Sequence, residues 1–336
     1  MATIHDVAHR AGVSTSTVSH VINDTRFVSD ETRTRVLQAI NELSYQPNRV
    51  ARSLRARRTH TLGVLLPNSA NPFFADMLLG VEAVAYDHGY SVIFGNAIED
   101  PQRELSYLEV LLATQVDGIL LISTGIFNEA LKTVSARDVP VVLVDRSTEQ
   151  LGVDSVLTDN AYGGALATQH LLSLGHRRIG CITGPPELIP MAFRIDGYRR
   201  AMAEAGVEVD ETLIVNGDFQ HESGYNGCRK LLSHPEPPTA IFVFNDLMAV
   251  GALCALHEAG LRVPEDVSVI GYDNVPLASY TVPRLTTIGQ PSQMMGRMAT
   301  EMLVSRVKNP DLPPRHQLLD VTLIERASCG PLHNRD

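Results

Sequence analysis

The sequence predicts an α/β protein in which a small all-α head precedes a core of two doubly wound parallel-sheet subdomains. Three observations carry that prediction. Apolar residues recur at the 3.6-residue period through the first 45 residues and mark three short helices. From Leu62 the pattern changes to short apolar runs alternating with helical stretches, and the same rhythm restarts after Asn160. Charge is also unevenly placed: residues 1–60 hold nine Arg against five Asp plus Glu, whereas the other 276 residues hold 19 basic against 33 acidic side chains.

The head reads as two helices joined by a tight turn, with a third behind them. Ile4, Val7, Ala8 and Ala11 give the first helix one apolar face, and Thr3 with Asp6 forms a capping-box-like pair at its start. Gly12 and Val13 make the turn, and Ser14 is placed to cap the second helix. On that helix Val18, Val21 and Ile22 point inward, while Thr15, Ser16, Thr17 and His20 point outward. Ser29 is expected to cap a third helix whose inner stripe is Val36, Ile40 and Leu43. A segment with five Arg follows Pro47, and Val50, Ala51 and Leu54 are its apolar positions. A helix that short is marginal in water and is expected to order only against DNA and a partner copy. A short helix showing a row of small hydrogen-bonding side chains suits the major groove of DNA. A polar outer face alone is the commoner explanation of such a hairpin, and it is the basic bias of this end that favours DNA. The acidic remainder would discourage indiscriminate binding to phosphates.

In the core, Leu62–Pro67, Tyr90–Asn96, Val116–Ser123 and Pro140–Arg146 read as four strands. Helices are expected between them near Ala75–Tyr86, Arg103–Thr114 and Phe127–Ala136. After Asn160 four more strands are expected at Arg177–Gly184, Thr212–Phe219, Thr239–Asp246 and Val267–Asp273. The accompanying helices fall near Tyr162–Ser173, Arg194–Ala205, Glu222–Ser233 and Asp246–Ala259. Parallel strands buried on both faces read as continuous apolar runs, as these do. Ligands of such sheets sit beyond the carboxyl ends of the strands, so two facing subdomains place a site in the cleft between them. The residues at those ends are Asn71, Phe73 and Phe74; Asp145 and Arg146; Phe219; Asn245; Asp273; and Gln290, with Arg194 opening the helix after Cys181-Ile182-Thr183-Gly184. Carboxylates, guanidinium groups and amides bond vicinal hydroxyls, and phenyl rings stack on the C–H face of a sugar. One Asp or Asn after a strand is usually only a helix cap, but so many together point to a neutral polyhydroxylated ligand.

The 336 residues, 44% of them apolar, are enough for two or three domains with a sizeable core. No run approaches the ~20 apolar residues of a membrane span, and no apolar export signal follows Met1, so a cytoplasmic, nucleoid-associated protein is expected. Cys181, Cys228, Cys254 and Cys329 form no CxxC pair and read as reduced, mostly buried thiols, with neither a disulfide nor a metal site. There is no GxGxxG, Walker A loop, HExxH or GxSxG, so neither an enzyme nor a cofactor is expected.

The stretches Thr3–Asn23 and Ala51–Thr59, together with Asn71–Phe74, Gln115–Ser123, Leu174–Gly184, Phe244–Leu253, Val263–Asn274 and Pro283–Pro291, resemble the LacI/GalR family of bacterial transcription regulators. The resemblance runs from Ala2 to about Arg326 and is strongest toward ribose- and purine-responsive members. It implies a periplasmic-binding-protein-like core. Thr15, Ser16 and His20 would meet base edges, Leu54 would wedge into the minor groove, and Arg26 and Arg55 would lie close to the DNA. Ser14, Thr17, Asn23 and Tyr45 would serve phosphates. The resemblance also implies that Asn71, Phe73, Phe74, Asp145, Arg146, Arg194, Phe219, Asn245, Asp273 and Gln290 hold a small sugar, ribose first. Pro67 and Ser123 depart from the sugar-binding pattern, and Arg146 stands where a purine repressor would offer an aromatic ring. The expected organisation is a DNA-binding domain over 1–46 and a hinge over 47–60. One core subdomain spans 61–160 and 291–318, and the other spans 161–290 and 319–330. With no heptad repeat near the end of the chain, a homodimer on double-stranded operator DNA is expected, with no membrane partner.

Overall fold

The computed structural model describes residues 2–24, 26–45, 58–98, 100–122, 132–134, 136–145, 152–186 and 188–332. The chain divides into two units, Met1–Thr59 and His60–Asp336. In the first, helices α1 (Ile4–Ala11), α2 (Thr15–Asn23) and α3 (Asp30–Glu42) enclose Val7, Ala8, Ala11, Val18, Val21, Val36 and Ala39. Thr3 and Asp6 form the full capping box of α1, and Gly12 adopts φ +66° to end it, a conformation glycine reaches without strain. Ser14 caps α2 by accepting from Thr17 N. The expected cap of α3 differs: Ser29 stands at the cap position but turns its hydroxyl to Thr32 Oγ1, so Asp30 and Glu31 alone complement the positive end of that helix.

The second unit holds two six-stranded sheets. The first contains β1 (Thr61–Leu66), β2 (Ser91–Asn96), β3 (Gly118–Leu121), β4 (Val141–Val144), β5 (Asp154–Thr158) and β11 (His316–Leu319), in the spatial order β11-β5-β4-β3-β1-β2 and parallel throughout. The second contains β6 (Ile179–Thr183), β7 (Ile214–Asn216), β8 (Ala240–Val243), β9 (Ser268–Asp273), β10 (Thr286–Gly289) and β12 (Thr322–Ile324), in the order β12-β10-β9-β8-β6-β7. Only β12 runs antiparallel, against β10. Helices α4 (Pro72–Asp87), α5 (Pro101–Ala113) and α10 (Ser292–Lys308) pack on the first sheet. Helices α6 (Asn160–Ser173), α7 (Ile189–Glu204), α8 (His221–Leu232) and α9 (Asp246–Glu258) accompany the second. Each sheet thus repeats one doubly wound order, and the chain crosses between them three times, after β5, after β10 and after β11.

Several expectations shift. Each sheet has six strands where four were read, and α10 was not foreseen. The strand expected over Thr212–Phe219 is confined to Ile214–Asn216 because Glu211–Leu213 coils into a 3-10 turn. Helix α4 begins at Pro72, capped by Asn71, and α7 begins at Ile189, so Arg194 lies in its second turn and does not open it. β2 is an outer strand that leaves Ile93 and Phe94 exposed. Cys181 and Cys228 are buried, but Cys254 is exposed. The helix expected over 127–136 falls largely outside the described residues. The pairs α4–α10, α6–α7 and α8–α9 approach closely through glycine: a Cβ on Gly251 would stand 2.0 Å from His221 O, and one on Gly224 2.0 Å from Met248 O.

A buried ion cluster ties the outer part of the first sheet together. Asp154, with no exposed surface, accepts two bonds from Arg306 at 2.7 and 2.9 Å, one from the Arg315 guanidinium at 2.8 Å and one from Arg315 N at 2.8 Å. Burial pushes the Asp154 carboxyl up, but the bonds from Arg306 and Arg315 outweigh it and hold it below its ordinary value of 3.8. Its stabilisation is therefore complete above that value and is lost as acid drives the pH through the lower, folded-state value. Asp154→Ala removes the counter-charge of two guanidinium groups that keep only carbonyl and hydroxyl partners, and because Arg315 is partly exposed it is expected to lower stability by about 2–4 kcal/mol at neutral pH; urea denaturation of native and variant chains measures this.

Candidate functional site

The head presents one polar helix. Ser16 and His20, four residues apart, lie on the side of α2 away from buried Val18 and Val21, with Thr15 and Thr17 flanking them, and all four are at least partly exposed. Ser14 Oγ lies 2.7 Å from Ser16 Oγ and 2.9 Å from Thr17 Oγ1, so a small hydroxyl cluster opens the helix. Arg26 is exposed beside Phe27, whose ring is 96% exposed and was not singled out in the sequence. Tyr45 packs partly against the head core, and Asn23 ends α2. Leu54 and Arg55 lie outside the described residues. Three of the acidic groups are engaged: Asp6 in its capping box, Asp24 with Arg33 and Glu42 with Arg10. These pairings neutralise part of the head's acidity within the head itself.

In the second unit, Asn71, Phe73, Phe74, Asp145, Arg194, Phe219, Asn245, Asp273 and Gln290 line one cavity of about 120 Å³. A single water needs only ~10–15 Å³ by the same kind of measure, so the space suits a small organic molecule. Arg146 and Ser123 lie outside the described residues. Pro67 lines the wall, as do Pro185, Leu188 and Met191, which the sequence reading missed. Those last three carry no polar signal; their only mark is that they follow the end of β6.

The polar groups form a hydrogen-bonded chain. Gln290 Nε2 donates to Asp273 Oδ1 at 2.7 Å, and Thr158 Oγ1 donates to Gln290 Oε1 at 2.5 Å. Asn160 Nδ2 donates to Thr158 O at 3.2 Å, and Asn160 Oδ1 accepts from Arg194 Nε at 2.8 Å. Arg194 also donates to Phe244 O and stacks with its guanidinium carbon 3.6 Å from the Tyr272 ring centre. Thr158, Asn160 and Gln290 belong to the segments where the chain crosses between sheets. Thr158 and Asn160 were also missed, because β5 itself was not predicted.

Burial pushes the Asp273 carboxyl up to about 7 and Asp145 adds to the rise, while Arg194 and the Gln290 bond oppose it. Asp145, Phe219 and Asp273 all have positive φ, at +57°, +67° and +108°. Non-glycine residues held there cost of order 1–3 kcal/mol each and gather at ligand sites. Gly184 leaves room for Phe219, since a Cβ there would lie 2.2 Å from the ring.

A periplasmic binding protein-like domain is matched over residues 168–329, and the signature of bacterial regulatory proteins of the lacI family over residues 3–48. The ribose operon repressor of Escherichia coli strain K12 is 44% identical over 98% of this chain and 100% of its own length. The chain belongs to the LacI family. The HTH-type transcriptional repressor PurR of Escherichia coli O139:H28 is 45% identical over 100% of this chain and 99% of its own. Among solved structures, the lac repressor dimer bound to operator and an anti-inducer matches with TM-score 0.86 and 31% identity, covering 97% of this chain and 98% of that one. In this LacI-family regulator a helix-turn-helix head therefore accompanies a two-sheet binding core.

Arg194 holds its place through a planar fork and a stacked face, neither of which an ammonium group reproduces. Arg194→Lys is expected to lower the stability of the ligand-free core by about 2 kcal/mol, read as a shift in urea midpoint.

Proposed function

We propose that this repressor binds a pseudo-palindromic operator as a dimer and that a small sugar, ribose first, controls it from the interdomain pocket. The observation that carries the sugar reading is the convergence of Asp145, Arg194, Asn245, Asp273 and Gln290 with the rings of Phe73, Phe74 and Phe219 on one cavity. Acceptors and donors of that kind match vicinal hydroxyls, and the rings match a C–H face. The same residue types could enclose a nucleobase, and a purine repressor is as similar in sequence as a ribose repressor. Arg146 beside Asp145, in place of an aromatic ring, favours the sugar. Exposed Leu79, Tyr86, Ile93 and Phe94 on α4 and β2 supply apolar surface for a partner copy. In this reading Thr15, Ser16 and His20 read bases, and Leu54 and Arg55 act from the hinge. The chain acts as a regulator and catalyses no reaction, in the cytoplasm and on the nucleoid.

Calorimetry with ribose tests the pocket. Asp273→Ala is expected to weaken ribose binding about ten- to a hundredfold, since it leaves buried partners unsatisfied. Only the ionised Asp273 offers all its lone pairs to hydroxyl donors, so native affinity should fall as the pH drops from 8 to 6, and Asp273→Ala should lose that dependence. Tight binding of hypoxanthine or guanine without any ribose binding would overturn the assignment in favour of a nucleobase corepressor. At the other end, His20→Ala should change base preference by about 1–3 kcal/mol at one position of each half-site, measured against operator variants. Ribose and operator must change each other's affinity by one factor, typically worth ~1–3 kcal/mol. For a sugar-induced system ribose should release DNA, and identical operator titrations with and without ribose would reject the coupling.

A further inference from the structure

Two consecutive residues at the start of α9 hold the two turns that furnish the pocket's ring and carboxylate. Asn245 Nδ2 donates to Phe219 O at 3.1 Å, while Asn245 Oδ1 caps α9 by accepting from Met248 N at 2.8 Å. Asp246 follows, with no exposed surface and no place in the pocket lining. Its Oδ2 accepts from Val275 N at 2.8 Å, and its Oδ1 accepts from Thr287 Oγ1 at 2.6 Å. Val275 comes directly after Asp273 and Asn274, whose φ values are +108° and +59°. Two successive non-glycine residues in that region do not persist by local preference and need an external restraint. The Val275 bond is one such restraint, beside the bonds from Arg326 to Asn274 Oδ1 at 2.7 Å and from Gln290 N to Asp273 O at 3.3 Å; Thr287 on β10, paired in register with Gly271 on β9, orients the carboxylate that makes it. Gly271 is required there, because a Cβ would lie 2.3 Å from Asp246 Oδ1.

We propose that Asp246 is a positioning residue for the effector: by holding the Val275 amide it fixes the Asp273–Asn274 turn that delivers the Asp273 carboxylate to the pocket, as Asn245 fixes the turn that delivers Phe219. This rests on the sugar-site reading above. The role is geometric. A neutral amide fills it, since an Asn carbonyl accepts from Val275 N while its amide donates to the Thr287 hydroxyl, which can itself accept. Burial pushes the Asp246 carboxyl up and Asp273 adds to the rise, while the bonds from Thr287 and Val275 and the nearby Arg326 guanidinium oppose it. Its charge is therefore disfavoured where it sits, and the work it does needs only an acceptor for Val275 N and a polar partner for the Thr287 hydroxyl.

Ribose calorimetry on the full chain tests this with four variants. Asp246→Asn should bind ribose within about threefold of native, whereas Asp246→Ala should lose about tenfold or more, the scale of one buried bond. Thr287→Val, which keeps the shape of the side chain, should lose about three- to tenfold on the same grounds and carries the test if Asp246→Ala does not fold. In the Asp273→Ala background neither change should weaken ribose further, because the carboxylate they position is gone. A merely structural role would give losses that add in full there, and that result overturns the proposal. So does native-like ribose affinity in Thr287→Val together with Asp246→Ala, or an Asp246→Asn as weak as Asp246→Ala. If native protein binds no ribose at all, the sugar-site reading falls and takes this inference with it. Native binding with unaffected variants rejects Asp246 alone.

Discussion

A carboxylate taken out of water must be met by donors, and the core is arranged round one such group. Asp273 is buried at the carboxyl end of β9, where lone-pair partners have to come from the protein or from a ligand. Gln290 supplies one, and its amide is held by Thr158. Thr158 is bonded in turn by Asn160, which receives Arg194. The chain of bonds passes through two of the three crossings between the sheets. Groups that would touch an effector are therefore bonded to the backbone about which the two subdomains would turn. One oxygen of the pocket is thus two hydrogen bonds away from the crossing after β5.

The position of the pocket follows from sheet chirality. Parallel strands joined by helices put all their carboxyl ends on one edge, and the doubly wound order leaves a crevice there. Both sheets share that order, so two such edges supply the pocket walls. The backbone at those edges is bent sharply, with Asp145, Phe219, Asp273 and Asn274 at positive φ. Such turns aim side chains into the crevice and away from the following helix. Their strain is offset by the buried strands behind them, Leu65, Leu66, Val243 and Tyr272 among them.

Much of this was legible in the sequence. Apolar runs with Asp, Asn or Phe at their ends mark parallel strands and their ligand edge, and every described pocket residue named from the sequence lies in the cavity. The misses have physical causes. β5 carries Asp154 and Ser155 at buried positions, so it does not read as an apolar run; Asp154 is compensated by Arg306 and Arg315, some 150 residues away. β11 is too short to read as an apolar run, since only Leu318 and Leu319 of its four residues are apolar and Leu318 is exposed. α10 was not read as a helix, although the expected organisation already returned residues 291–318 to the first subdomain; its inward residues, Met295, Ala299 and Leu303, meet the first sheet. Pro185, Leu188 and Met191 were invisible because apolar lining looks like ordinary core. Ser29 failed as a cap because a neighbouring hydroxyl, Thr32, competes for it.

The three crossings also bear on how the chain is made. The sheet that begins at Thr61 is not closed until β11 pairs with β5, and the other is not closed until β12 pairs with β10. Those last strands, His316–Leu319 and Thr322–Ile324, lie almost together in the chain, after every other strand of both sheets. Ordinary multidomain chains complete their first domain while the second is still being translated. Here the sheet that begins at Thr61 waits until β11, after all ten preceding strands, has been made, holding the edge of β5 open meanwhile. A chain that stops before residue 316 therefore yields no finished lobe, where a chain of sequential domains would leave one behind.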